Sequence, residues 1–496
     1  LDKAELNSDF YFFSPATKNN KMVAYDINGD IRWYLATPAL WQNTRLNNGH
    51  LLVSTERLFS APYYMTGLYE IDLLGKIYAE YSLPGGYHHD YFELQNGNLI
   101  VATNNFENSN DTVEDYVVEL DRKTGNIVKT IDLKKILKTD DGKSENWTKQ
   151  DWFHNNSVYY DRHTNSLILS GRHQDIVASI DYTTEKINWL FGDSTNWSSE
   201  YQNYFLKPVG DNFEYQWSQH AAKLTPEGYL FLFDNGNNKS KDPSSYVQAA
   251  NSYSRGVLYK INAEQKTVEQ IWQFGKERGS DFYSPYISDV DYLSKDHYLI
   301  HSGGIVKSDG KPSNQPAGLT DGKVTLLSDT VEIKDGKIIF EIKSPTNNFR
   351  VEKMDAYTGV DFALIDARRL GTLGVTEVSG KKQGVITDTD VDQEFLKYHK
   401  ITLKNEEDRL VFSGQFKRED QVRIALYRNF NTNFYNLKIS KNPLTALCVD
   451  ILTEDEDQNG IMVTKYINKD GLRGNYSVYI EYNGKLYNTG KYFNAN

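Results

Sequence analysis

Between residues 24 and 342 the chain repeats one hydrophobic–polar unit six times: "AYDINGDIRWYL", "YEIDLLGKIYAEY", "VELDRKTGNIVKTI", "ASIDYTTEKINWLF", "YKINAEQKTVEQIW" and "VEIKDGKIIFEI". Each copy is a β-prone run, a short polar turn and a second run, which is the pattern of a hairpin whose turn needs positive φ. Six copies at spacings of roughly 45 to 80 residues predict six four-stranded blades. The expected fold class is therefore all-β, a six-bladed β-propeller.

A second unit lies between copies of the first. It reads "YHHDYFELQNGNLIVAT", "WFHNNSVYYDRHTNSLILSGR" and "SQHAAKLTPEGYLFLFD", and each opens on a histidine and closes on a polar residue. His89 stands eight residues before Gly97 and His220 eight before Gly228, with His154 in the same place in a slightly looser copy. One such histidine would be read as structural; three in one register point to a common centre.

Chain order within a blade is inner hairpin, then outer hairpin. The first outer hairpin, with "FYFFS" before it, has no inner hairpin ahead of it, so its partner is sought near "FRVEKMDA" at 349–356, which would close the ring from both ends. Turns inside hairpins are short, and the long connections, about 134–153, 192–219, 234–255, 275–287 and 303–322, all fall on one face. The three histidines begin innermost strands on that face, and Arg172 ends the strand after that of His154. Function concentrates on such loops. Trp33, Trp189 and Trp272 recur in outer strands and are read as blade packing.

Beyond about residue 365 the repeat stops. "HKITLKNEEDRLVFSGQF", "QVRIALYRNF" and "NYSVYIEYNGKLYNTGKYF" are alternating strands that predict a small C-terminal β-sandwich, joined through "RRLGTLGVTE". The expected division is a propeller over 1–365 and an accessory sandwich over 366–496, with no catalytic cluster in the second.

Composition narrows the partners. Lys and Arg total 55 against 67 Asp and Glu, a net charge of −12, so nucleic acid is not an expected partner and an anionic substrate needs a local cationic pocket. No apolar run approaches a membrane span. Cys448 is the single cysteine, which excludes disulfides and cysteine-based zinc sites within the chain. The 35 Tyr, 8 Trp and 34 Gly suit a β-rich protein. A chain starting at Leu1 without Met is consistent with a removed targeting segment, none of which is visible, and the expected location is extracytoplasmic.

Three imidazoles around a channel admit two chemistries. They could bind zinc or copper with an open position, although no His-x-x-x-His or cysteine motif supports that. Alternatively His154, Asn156 and Arg172 donate to an anion while a neutral histidine acts as nucleophile, which suits sulfuryl or phosphoryl transfer. His88 is expected on the other side of its strand, as structure or substrate edge, and His173 as a loop contact. His50, His163, His297, His301 and His399 carry no signal.

"DWFHNNSVYYDRHTNSLILSGRHQ", "YQWSQHAAKL…LFDNG" and "FGKERGSDFYSP" resemble the bacterial arylsulfate sulfotransferases over roughly residues 10–360. The resemblance implies a six-bladed propeller that moves sulfate between phenols without a nucleotide donor, hence an aryl sulfate donor, a phenolic acceptor and neither cofactor nor metal. By motif, the nucleophile falls on His220, the sulfuryl-binding groups on His154, Asn156 and Arg172, and the remaining active-site histidine on His89, with a one-residue ambiguity against His88. His89 is then the candidate to protonate the departing phenolate and to deprotonate the acceptor. Trp152, Phe153, Trp217 and Tyr286 are candidates to stack on the aryl groups, or to pack the loops. Members carry a Thr soon after the FYSP run where this chain has Tyr286-Ile287-Ser288, which makes Ser288 the nearest hydroxyl. Some members have a disulfide near the nucleophile, which this chain cannot form. Their N-terminal sandwich is not seen here, so oligomerisation through it is not implied and homo-oligomerisation stays open. The alternatives kept are a metal-dependent propeller hydrolase or lyase using the histidine ring, and a non-enzymatic propeller scaffold.

Overall fold

A computed structural model of the chain describes residues 9–16, 21–36, 39–55, 64–105, 112–355, 380–387, 390–406, 409–417, 420–437, 460–469 and 471–496. The strands up to Met354 form six blades around one axis. Numbered in chain order, blade 1 takes Asn348–Met354 as its innermost strand, followed outward by Phe10–Pro15, Val23–Tyr25 and Ile31–Tyr34. The ring is therefore closed from both ends, with Phe12 opposite Glu352 and Phe13 opposite Val351 in an antiparallel ladder. The strand sought at 349–356 is the one found; Ala356 itself lies outside the described residues.

Blades 4, 5 and 6 begin at Asn155–Asp161, His220–Leu224 and Asp289–Ser294. Blades 2 and 3 share a strand. Ile77–Glu93 runs seventeen residues, pairing through Gly67–Ser82 with blade 2 and through Tyr91–Val101 with blade 3. The two blades are thus one seven-stranded sheet.

The second strands, such as Leu51–Ser54, Leu99–Thr103 and Leu230–Asp234, are buried at every position because both faces meet a neighbouring blade. Outer strands keep an exposed face, as in Ile31–Tyr34. The recurrent tryptophans pack there: Trp272 lies 4.6 Å from the Tyr298 ring of the next blade. The inner-hairpin glycines Gly97 and Gly228 adopt φ of 85° and 81°, and a Cβ added at either would meet only open space, so conformation and not room selects glycine.

After residue 380 a five-stranded and a three-stranded sheet enclose a separate hydrophobic cluster that includes Phe412, Ile424, Leu426 and Ile480. This is the expected sandwich pattern. The division at 365/366, the "RRLGTLGVTE" joint and Cys448 lie outside the described residues. Asn436 of this part donates from Nδ2 to Glu80 Oε1 at 3.1 Å and to Ser82 Oγ at 3.3 Å, both on the shared strand.

Candidate functional site

The chain enters the innermost strands of blades 2 to 6 through non-glycine residues at positive φ: Trp41 at 70°, His89 at 56°, His154 at 55°, Ser218 at 52° and Ile287 at 49°. Each such residue costs about 1–3 kcal/mol, a strain that typically gathers at functional sites. His89 and His154 stand at these turns and His220 two residues after one; all three are fully buried, with the His89 and His154 rings 4.8 Å apart at 77° between planes.

His220 sits at the start of blade 5. Its Nδ1 lies 2.7 Å from Asn235 Oδ1 and 3.1 Å from the Ser218 carbonyl, two acceptors, so Nδ1 carries the proton. Asn235 is oriented in turn by donating Nδ2 to the carbonyls of Ser284 and Ile287 at 2.8 and 2.9 Å. The His220 Nε2 lone pair has no hydrogen-bond partner. Burial, and then the charge of Arg172, push the imidazole well below its usual range, so the ring stays neutral.

His89 shows the same arrangement. Its Nδ1 lies 3.0 Å from His88 Nδ1, its Nε2 is unpartnered, and Trp41 packs against the ring at 4.3 Å. Burial, followed by His154 and His88, pushes it well below the usual histidine range. His154 differs, because its Nδ1 faces two carboxylates, Glu114 at 2.7 Å and Asp151 at 2.8 Å. Desolvation opposes ionisation of Asp151, yet the surrounding His173, His154 and Arg172 hold the acid below the usual carboxylate range, so it is a carboxylate. His154 Nδ1 therefore carries a proton, donated to Asp151 Oδ2.

Arg172 follows the buried strand Ser166–Gly171, where a Cβ on Gly171 would come within 2.5 Å of the Phe153 ring. The guanidinium donates from Nη1 to His173 Nε2 at 2.9 Å and from Nη2 to the Pro285 carbonyl at 3.2 Å, leaving Nε–H without a partner. Asn156 donates from Nδ2 to the Gln219 carbonyl at 2.8 Å, which engages one of its two amide hydrogens.

The other expected residues lie outside this cluster of free atoms. Ser288 Oγ is 2.9 Å from Ser284 Oγ and accepts from the Gly303 amide at 2.9 Å. Tyr286 is fully buried beside Trp41 and Phe349, with its hydroxyl accepting from Asn347 Nδ2. Trp152 donates to Asp115 Oδ2 at 2.8 Å and packs with Phe153 in the core between blades 3 and 4. Trp217 is half-buried.

Sequence reasoning missed Asn235, Asp151, Glu114 and Arg350. Asn235 was within reach, because it follows the second strand of blade 5 as Arg172 follows that of blade 4. Arg350 was not, since it stands on the closing strand, outside any repeat. Its Nη2 donates to the Asn156 carbonyl at 2.9 Å and its Nη1 to Asp289 Oδ1 at 2.8 Å.

Three groups of side chains bring ligand atoms within 4.8 Å of one another: His88, His89 and Glu114; Asp151, His154 and His173; Asp289, Asp291 and Glu352. In the first, His88 and His89 spend their facing nitrogens on each other. In the second, His173 is engaged at both nitrogens, by Arg172 and by the Asp151 carbonyl. The third is countered by Lys223, 2.5 Å from Asp291, and by Arg350. These donor sets fit a hydrogen-bonded site better than a metal centre. Two neutral imidazoles with unpartnered Nε2 lone pairs, in the field of Arg172 and Arg350, can attack the electrophilic centre of an oxyanion.

The sequence profile of the family described as Arylsulfotransferase (ASST) matches residues 2–357, which contain every residue of this cluster. Two curated relatives, both named Arylsulfate sulfotransferase AssT, are 28% identical. That of Lelliottia amnigena aligns over 65% of this chain and 63% of its own length, and that of Escherichia coli O6:H1 over 57% of each. The chain thus spans less than two thirds of either relative. Among solved structures, the β-propeller domain of Cps50 (Swd1) from Myceliophteria thermophila is similar over 69% of this chain and 84% of its own, at 11% identity and a TM-score of 0.36.

Proposed function

This chain belongs to the arylsulfotransferase family, and from that premise we propose that it moves a sulfuryl group from an aryl sulfate to a phenol through a sulfohistidine on His220. The observation that carries the proposal is the neutral His220 ring, with Nδ1–H held by Asn235 and the Nε2 lone pair free. Nε2 attacks sulfur, the S–N bond forms, and the S–O bond to the aryl group breaks with its electrons leaving on the phenolate. Asn235, accepting from Nδ1–H, steadies the positive charge that the sulfurylated ring acquires. Arg172, Asn156 and His154 take the sulfuryl oxygens and the charge that develops on them.

In the second half an acceptor phenol gives its proton to His89 Nε2 as its oxygen attacks sulfur, and the S–N electrons return to His220. The resting tautomer suits His89 to this step; the first phenolate takes its proton from water, and His89 returns its own to solvent. The chemistry asks for no metal or nucleotide, and an extracytoplasmic location belongs to the same proposal. Among the described residues no helix is long and apolar enough to cross a membrane.

The test is the intact mass of the protein after incubation with p-nitrophenyl sulfate and no acceptor. A gain of one SO₃, mapped to His220 and absent from His220→Asn, is the expected result. An unchanged mass alongside continued p-nitrophenol release excludes the covalent route. Steady-state rates at varied donor and acceptor are expected to give parallel double-reciprocal lines, unaltered by EDTA; intersecting lines indicate direct transfer, and loss of activity with EDTA revives the metal-dependent alternative.

A further inference from the structure

Two buried histidines, His88 and His173, share one geometry. His88 Nε2 lies 3.0 Å from the Thr103 carbonyl, and His173 Nδ1 lies 2.6 Å from the Asp151 carbonyl. A carbonyl only accepts, so in each ring that nitrogen bears the proton. Both rings are fully buried, and burial is the main reason that both lie below the usual histidine range, His173 at about 3. Each is therefore neutral, with one lone pair left. That of His88, on Nδ1, faces His89 Nδ1 at 3.0 Å, and that of His173, on Nε2, faces Arg172 Nη1 at 2.9 Å.

We propose that His88 and His173 are paired positioning residues, each a carbonyl-anchored hydrogen-bond acceptor that sets the working geometry of its chain neighbour. His88 obliges His89 to keep its proton on Nδ1, and so to present an Nε2 lone pair to the axis. His173 takes one arm of the Arg172 guanidinium while the Pro285 carbonyl takes the other, which aims the remaining N–H groups. The His173 ring is further fixed by stacking on His154, at 4.4 Å and 17° between planes. In blade 3 the acceptor precedes its client in the chain, and in blade 4 it follows. This assignment rests on the proposed roles of His89 and Arg172, but the tautomers it requires exist without substrate.

The first test therefore needs no turnover. In the full chain labelled with ¹⁵N-histidine, the ring resonances that disappear in His89→Gln are expected to show a protonated Nδ1 and an unprotonated Nε2. Those that disappear in His88→Asn are expected to show the reverse. A proton on His89 Nε2 at neutral pH overturns the proposal, whatever the enzyme transfers. The second test is kinetic. His88→Phe and His173→Phe remove the acceptor and should lower the transfer rate about 10–10²-fold, the usual effect of removing a group that orients a reacting residue. His88→Asn and His173→Gln place an amide oxygen near the lost lone pair and should recover most of that rate. His173→Phe made in an Arg172→Lys background should add little further loss, because its client is already gone. Full additivity there, or no rescue by Asn and Gln in folded proteins, assigns these rings to packing and overturns the proposal. If the wild type transfers no sulfuryl group while the resonances match, the reaction fails and the positioning stands.

Discussion

At the residue scale, the proposed mechanism divides the work between neutral imidazoles and a fixed cation. His220 keeps its lone pair because burial and Arg172 both disfavour its protonation. A histidine whose pKa is depressed stays neutral as pH falls past the ordinary value of about 6.5. Single-turnover sulfurylation should therefore hold level from about pH 8 to 5.5, measured by rapid quench and mass; a decline centred near 6.5 would place an ordinary histidine at the point of attack. Arg172→Lys should lose about 10²–10³ in rate, since an ammonium offers a point charge where the guanidinium offers a planar fork. A Lys variant within a few-fold of wild type removes Arg172 from contact with the sulfuryl oxygens.

At the element scale, the outer hairpins were legible because a turn, two alternating runs and a repeat length all agree. The register of His89, His154 and His220 was legible for the same reason. What the pattern could not show is the positive φ at Trp41, His89 and His154, since nothing in His or Trp advertises a left-handed backbone. Nor could it show Glu114 and Asp151 meeting at His154 Nδ1, because the two carboxylates come from loops of different blades. Hydrogen bonding of both rings, not strand alternation, decides that His88 and His89 face each other. Gly171 tests how tightly an element delivers its residue. Its Cβ would meet Phe153, so Gly171→Ala should cost about 1–3 kcal/mol in urea unfolding and lower the transfer rate by shifting Arg172. A variant of wild-type stability and rate would mean that the Phe153 ring yields freely.

At the scale of the whole molecule, pairing of Asn348–Met354 with Phe10–Pro15 closes the ring before the later strands begin. A chain ended near residue 370 should stay soluble and still take up one SO₃, at a lower melting temperature. A soluble truncation with native circular dichroism that takes up none would give the sandwich a part in shaping the site. That sandwich has a route to the histidines. Asn436 holds Glu80 and Ser82, and His88 and His89 lie on the same continuous strand. The nine steps from Glu80 to His89 stay within this strand, bent by positive φ at Gly86 and His89 and by register shifts on both sides of Tyr87. Mechanically this is a jointed linkage: Asn436 holds one end and the other ends in the two histidines. Because the strand is hydrogen-bonded into both blades, these cannot loosen separately. Amide exchange should show the seven strands opening as a single unit, slower than the freestanding sheet of blade 4, and the Asn436→Ala change should quicken that opening as far in as Tyr87.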